Sequence, residues 1–261
     1  MIGFGSLHRV GGSRRMAKLR SEGQNFRLGD MADLDSRGEK SEGTLGHYQS
    51  RPRLYRQLLL AAIALVGTGV GFFALTPPDR SFSDHFTMST AYVGFFFLAA
   101  ALIVGPLNVL REVPNPISTY LRRDIGIIAG ILAIAHTIIG LFVHFRGDFV
   151  QYFFYRTPTG IAGVRFDAFG IANHVGLIAV LIILVLLCIS NNASLQLLGP
   201  ERWKRIQRWN YVGAIAVVLH ALLYEAVGRQ KVAFIACILI VAAGVVVLQF
   251  LGFWRRRERL A

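Results

Sequence analysis

The chain consists of a polar first fifth followed by long apolar blocks that are separated by short polar segments. Each block has about 18 to 24 residues, enough for a helix to cross a hydrocarbon core of about 30 Å. The pattern predicts an all-α integral membrane bundle of six transmembrane helices. Because only the residues 229–231 separate the last two blocks, five helices are the alternative. The predicted spans are 57–75, 88–110, 124–144, 170–190, 210–228 and 232–253.

The segment before the first span has a different composition. It is rich in Gly, Ser and charged residues, shows no sustained periodicity and contains no apolar segment of the signal-peptide type. We expect a disordered basic cytoplasmic tail over residues 1–53, a transmembrane domain over 54–254 and a second basic cytoplasmic tail over 255–261.

Clusters of Arg and Lys indicate the orientation of the bundle. They lie before the first span, between the second and third, between the fourth and fifth, and after the sixth. With six spans all four clusters fall on one side, which the positive-inside rule makes the cytoplasm. Both termini are then cytoplasmic. The basic residues of the clusters are Arg51, Arg53, Arg56, Arg111, Arg122, Arg123, Arg202, Lys204, Arg205, Arg208, Arg255, Arg256, Arg257 and Arg259.

Composition supports a membrane protein and excludes several other classes. The chain is 54% hydrophobic and 16% charged, which is too apolar for an ordinary soluble domain. Its net charge of +13 does not indicate a nucleic-acid partner, because the basic residues flank the apolar spans. The two cysteines, Cys188 and Cys237, lie inside apolar runs, so neither a disulfide framework nor a Cys-rich metal site is expected.

Two histidines lie at matched depth in different spans. His136 comes 13 residues after Arg123, and His220 comes 12 residues after Arg208. In helices that start from the same side, they lie about 20 Å and 18 Å along the axis. Ionisable side chains inside a membrane are costly and usually have specific partners. A b-type haem fits this arrangement because its iron takes one axial ligand from each side. The alternative is that each histidine only forms a hydrogen bond to a neighbouring helix.

The segments around these histidines resemble a known family. LRRDIGIIAGILAIAH in the third span, and LLGPERWKRIQRWNYVGAIAVVLHALLYE leading into the fifth, resemble the ferric reductase-like transmembrane domain. The likeness is greatest to the haem-bearing membrane subunits of periplasmic methionine sulfoxide reductase systems, and it covers residues 95–230. It implies that His136 and His220 bind the iron of one haem b in a bacterial inner membrane.

The chain departs from the family pattern at one place. Family members usually carry a histidine thirteen residues before the ligand in span five, where this chain has Gln207. The matching position of span three is Arg122. A second haem nearer the cytoplasm is therefore not expected, and electrons from that side would need another carrier, such as a flavin from a partner, or a quinol donor in the membrane.

Other polar residues near the outer ends of the spans are weaker candidates. His144 and His174 could form an outer-face site that meets haem propionates, a metal or a quinone, or they could be ordinary interfacial histidines. Glu225 could pair with Arg229 or relay protons. The aromatic loop 145–169 suits either a membrane interface or a partner surface.

The sequence thus favours a membrane b-type cytochrome subunit that passes single electrons through one haem. The resemblance suggests a periplasmic reductase partner or ferric iron as acceptor, with quinol or a cytoplasmic flavoprotein as donor. No long polar segment remains for a flavin or nicotinamide domain, and the GTGVG of residues 67–71 lies inside an apolar run. A cofactor-free transporter or scaffold with structural histidines is the alternative.

Overall fold

The structure is a computed structural model that describes residues 53–112, 116–226 and 231–259. The chain divides into the two units Met1–Arg56 and Gln57–Ala261, and the second contains all the features discussed below. The predicted N-terminal tail lies outside the described residues up to residue 52. The last two residues of the predicted C-terminal tail are also outside them.

The described chain is mostly helical and contains one small hairpin. Between the third and fourth helices a short 3-10 turn covers Phe145–Gly147. The helices are α1 Arg53–Ala74, α2 Phe82–Leu110, α3 Pro116–Gly140, α4 Val150–Phe153, α5 Ala168–Cys188, α6 Asn192–Gln207, α7 Trp209–Tyr224 and α8 Val232–Glu258. The strands are β1 Phe154–Thr157 and β2 Gly160–Val164.

Five helices of the described segments are long and apolar enough to cross a membrane. They are α1, α2, the Tyr120–Gly140 part of α3, α5 and α8. The expected helical membrane protein is therefore found. The predicted span 210–228 corresponds to α7, whose 16 residues reach about 24 Å, less than a hydrocarbon core of about 30 Å.

Several helix boundaries differ from the predicted spans; α3, for example, begins at Pro116 and not at residue 124. α2 begins at Phe82, ahead of the predicted residue 88, since the Ser81 hydroxyl accepts a hydrogen bond from the Asp84 backbone N–H at 3.2 Å. α3 ends at Gly140 rather than at residue 144. His144, which the predicted span included, therefore lies beyond the end of α3, whereas His136 lies within it.

The polar segment between the fourth and fifth predicted spans forms α6, to which the sequence analysis assigned no helix. The Asn191 side chain caps this helix by accepting a hydrogen bond from the Ser194 backbone N–H at 2.7 Å. A kink interrupts α6 at Gly199, whose φ of 72° suits a glycine, immediately before Pro200. Capping and a kink leave no trace in an apolar pattern, which explains the omission.

A two-stranded antiparallel hairpin lies in the long loop before α5, so the all-α expectation needs this correction. Phe154 pairs with Val164 and Thr157 with Gly160, which leaves Pro158 and Thr159 at the turn. Short runs of aromatic and β-branched residues around a Pro-containing turn favour such a hairpin.

Close packing between helices uses small residues. α2 packs against α3 and α8, α5 packs against α7, and α3 packs against α5. A Cβ atom added to Gly252 of α8 would lie 2.9 Å from Cβ of Pro106 in α2, so these backbones approach closely. The large apolar side chains of the candidate spans point outwards, as expected for helices in lipid.

We expect Gly252→Ala to destabilise the bundle by about 1–3 kcal/mol, because the new methyl group meets the rigid Pro106 ring. Gly244→Ala is the matched control on α8, since its added methyl meets nothing within 4 Å. The apparent unfolding midpoint in detergent measures both variants. Equal midpoints would show that this contact does not hold α8 to α2.

Candidate functional site

The structure brings the two intramembrane histidines together. The ring centroids of His136 on α3 and His220 on α7 are 6.2 Å apart, and their planes are inclined by 74°. Both residues line one cavity of about 1300 Å³ inside the bundle. The two side chains therefore do not point to separate lipid-facing surfaces.

Each imidazole is held by a backbone carbonyl of another helix. Nδ1 of His136 donates a hydrogen bond to the Thr87 carbonyl oxygen of α2 at 3.0 Å. Nδ1 of His220 donates to the Ala172 carbonyl oxygen of α5 at 2.8 Å. Because a carbonyl oxygen only accepts, each ring carries its hydrogen on Nδ1 and keeps a lone pair on Nε2. Metal-binding histidines are typically oriented in this way.

A glycine on α5 makes room for the His220 ring. A Cβ atom at Gly176 would lie only 2.6 Å from Nδ1 and 2.9 Å from Cε1 of His220. Any side chain at residue 176 would therefore displace the imidazole from its carbonyl partner, Ala172. The sequence analysis missed Gly176, and its one signal was a glycine in the middle of an apolar span.

The separation of the rings suits a shared axial metal. Two nitrogen–metal bonds of about 2 Å, with about 1 Å from each nitrogen to its ring centre, give a centroid separation of about 6 Å. The observed 6.2 Å agrees with this value. The described segments contain no cluster of three or more His, Cys, Asp or Glu side chains for a metal ion. Two imidazoles at this separation could hold one metal ion between them.

The cavity has two chemically different ends. We define its inner end by Arg122, Gln207 and Arg208, and its outer end by His144 and Tyr224. The two histidines of the site lie between these ends, and the walls around them are largely apolar. The lining residues at the inner end include two arginines, and those at the outer end combine aromatic rings with charged side chains.

The inner end contains the two positions at which the family pattern would have further histidines. Arg122 lines the cavity there, and Gln207 donates a weak hydrogen bond to the Ser190 hydroxyl at 3.4 Å. Neither side chain is an imidazole. A second axial pair of histidines is therefore absent from the described lining of this end.

His144 and His174 have different surroundings. His144 lines the outer end, and its ring centroid lies 5.5 Å from that of Phe169. Burial lowers the pKa of His144, and the negative charge of Asp84 only partly opposes this shift, so the imidazole is neutral at pH 7. His174 instead donates from Nδ1 to the Gly170 carbonyl oxygen at 2.6 Å and is not among the described residues that line the cavity.

Tyr152 fixes the chain that leaves α3. Its buried hydroxyl donates a hydrogen bond to the Gly140 carbonyl oxygen at 2.8 Å and accepts one from the His144 backbone N–H at 2.9 Å. Burial raises the pKa of this hydroxyl, so it stays protonated at neutral pH. The contacts place His144 at the outer end of the cavity.

Arg165 anchors the hairpin to the start of α5. Its Nε donates to Asp167 at 2.8 Å, and its guanidinium lies 5.1 Å from the ring centroid of Phe169. Burial acts to raise the pKa of Asp167, but hydrogen bonds from Arg165 and from the Gly170 N–H hold it below the usual value. The ionised Asp167 caps α5, the helix that carries Ala172 and Gly176.

A buried carboxyl group also lines the cavity. Glu225 is 4% exposed, and its Oε1 accepts a hydrogen bond from the Tyr92 hydroxyl at 2.7 Å. Its Oε2 is buried and has no hydrogen-bond partner among the described residues. Arg229, the predicted partner of Glu225, lies outside them. Tyr92 was missed because nothing along the sequence relates it to a residue more than a hundred positions away.

The chain matches none of the known protein families and none of the curated protein sequences that it was compared with. The resemblance of its two histidine segments to the ferric reductase-like domain therefore remains a prediction.

We expect Tyr152→Phe to lower the stability by about 1–3 kcal/mol, because the half-buried His144 backbone N–H loses its hydrogen-bond partner and the Gly140 carbonyl oxygen keeps only the bond from the Val143 N–H. Tyr211→Phe is the control: its hydroxyl is 3.5 Å from Gln249 and the side chain is 40% exposed, so its loss costs little. Apparent unfolding midpoints in detergent compare the two. A larger effect for Tyr211→Phe would contradict the anchoring role of Tyr152.

Proposed function

We propose that the protein is a membrane b-type cytochrome subunit that transfers single electrons through one haem, with His136 and His220 as axial ligands. The observation that carries this proposal is the pair of imidazoles that face one cavity with centroids 6.2 Å apart. The resemblance to the ferric reductase-like domain points to the same two residues.

The chain's own groups would do three things for such a cofactor. The Nε2 lone pairs of His136 and His220 would bind it. The carbonyl oxygens of Thr87 and Ala172 would fix both ring orientations. They would also make Nε2 of each imidazole more basic and therefore a stronger metal ligand. The apolar walls between the ends of the cavity would limit the access of water. A haem held in this way supplies a one-electron redox centre inside the membrane.

The proposal includes six spans with both termini in the cytoplasm of a bacterial inner membrane. α7 is short, but it is apolar, packs along α5 and carries His220 at the cavity. With α7 as a span, the four basic clusters lie on one side of the bilayer, in agreement with the positive-inside rule. The outer end of the cavity then faces the periplasmic side.

The electron path follows from this orientation. An acceptor at the outer side would be a periplasmic reductase partner or ferric iron. The donor would be quinol or a cytoplasmic flavoprotein, because Gln207 and Arg122 at the inner end supply no second pair of imidazoles. A periplasmic molybdenum enzyme that co-purifies with the chain would favour the first acceptor, and dependence on an added flavoprotein would favour the second donor.

An optical spectrum of the purified chain tests the proposal. After expression with adequate haem supply, we expect a reduced-minus-oxidised spectrum of the b type. His136→Ala and His220→Ala should each abolish the low-spin spectrum because each removes one axial nitrogen.

His174→Ala is the matched control. Nδ1 of His174 also donates a hydrogen bond to a backbone carbonyl oxygen, that of Gly170 in the same helix, but His174 is not among the described residues that line the cavity. Substitutions of His8 or His47 in the N-terminal tail should also have no effect. A wild-type chain without haem would refute the proposal and favour the cofactor-free alternative. A low-spin spectrum that survives both alanine substitutions would refute His136 and His220 as the ligands.

Gly176→Ala tests the space on which the site depends. The added methyl group would collide with the His220 ring, so we expect weaker haem retention and a loss of low-spin character. Gly126→Ala also adds a methyl group on the cavity wall, but this methyl meets nothing within 4 Å and should leave the spectrum unchanged. Identical spectra of the two variants would contradict the placement of His220.

A further inference from the structure

The buried hydrogen-bonded pair Tyr92–Glu225 lines the cavity but has no role in the proposed binding of haem. Glu225 belongs to the turn that follows α7, five residues beyond His220 or about 7.5 Å further along the helix axis. Both partners line the same cavity as the two histidines. An ionisable side chain at such a depth is a candidate functional group.

The two oxygens of the carboxyl group have different environments. Oε1 accepts the Tyr92 hydrogen bond at 2.7 Å, while Oε2 is buried and has no partner among the described residues. A buried carboxylate oxygen without a donor is costly, and a proton bound to the carboxyl group removes most of that cost. Glu225 therefore has a place to hold a proton, and Tyr92 keeps the side chain in position.

Other titratable or charged groups surround the outer part of the cavity. They come from the loop before α2, from α2 itself, from the chain between α3 and α5, from α7 and from the residue before α8, whereas α5 contributes Asn173 but no ionisable lining residue. Besides Tyr92 and the two site histidines, these groups are Arg80, Asp84, His144, Tyr152, Tyr224 and Lys231. None of these groups donates a hydrogen bond to Oε2.

We propose that Glu225 takes up one proton when the redox centre held by His136 and His220 is reduced, and releases it on oxidation. This inference rests on the proposed function. One electron arrives from the donor and one proton arrives from the outer aqueous side through the cavity, so the charge of the interior does not change. An added negative charge in a low-dielectric interior favours protonation of a nearby carboxylate. Glu225 would thus compensate the charge of the added electron without binding the redox centre.

A redox titration of the haem in the detergent-solubilised full-length chain, repeated at several pH values, tests this proposal. We expect the midpoint potential of the wild type to fall as the pH rises, by up to about 59 mV per pH unit, the value for one proton per electron. Glu225→Gln keeps the size of the side chain but cannot take up the proton. It should keep the low-spin spectrum and lose most of this slope.

Three further variants keep the test decisive. Glu112→Gln removes an exposed carboxylate that pairs with Arg255 and Arg259 at the far end of the bundle, and should retain the wild-type slope. Tyr92→Phe should retain a slope but shift the pH range in which it occurs. Glu225→Asp keeps a carboxyl group and should retain part of the wild-type slope, so it replaces Glu225→Gln in the test if that variant does not fold.

Redox-difference infrared spectra give a second readout. Reduction of the wild type should produce the carbonyl band of a newly protonated carboxyl group, and Glu225→Gln should lack that band. A slope or a band in Glu225→Gln equal to the wild type, or a wild type whose potential does not depend on pH, would overturn the inference while leaving the haem proposal intact. A wild type without haem would instead refute the proposed function.

Discussion

The hydrogen bonds from His136 and His220 to backbone carbonyls of other helices determine how the site is arranged. Each bond spans two helices, and each leaves Nε2 of its ring without the hydrogen. An unsatisfied imidazole would be costly inside an apolar bundle, so the carbonyl partners stabilise the fold as well as the orientation of the rings. Helix packing and the orientation of the two imidazole rings therefore depend on the same two contacts. A shift of α2 would disturb the packing and the orientation of the His136 ring together, and a shift of α5 would do the same for His220.

One glycine and several polar anchors allow these contacts to form. Gly176 lets the His220 ring lie against the backbone of α5, and Asp167 with Arg165 fixes the start of that helix. On the other side of the cavity, Tyr152 closes the end of α3 beyond His136. The cavity is thus bounded by groups that hold particular helix ends.

The sequence was sufficient for a helical membrane protein, and the two histidines that it singled out lie with ring centroids 6.2 Å apart. Apolar runs of sufficient length predict spanning helices, and counting from the basic clusters places His136 and His220 at similar depth. It was not sufficient for Thr87 and Ala172, because a backbone carbonyl has no signature in the residue type. Tyr92 is distant from Glu225 in sequence, and the caps and kink that create α6 depend on single polar residues. These features arise from tertiary packing, which one sequence without its relatives does not reveal.

The central claim is that both imidazoles bind one metal. Pulsed electron paramagnetic resonance of the oxidised full-length protein, prepared with ¹⁵N-labelled histidine, tests this claim most directly. The account predicts hyperfine coupling of a low-spin ferric centre to nitrogens of two histidines, and the loss of this low-spin centre after substitution of either His136 or His220. A centre coupled to one histidine in the wild type, or to histidines other than these two, would contradict it.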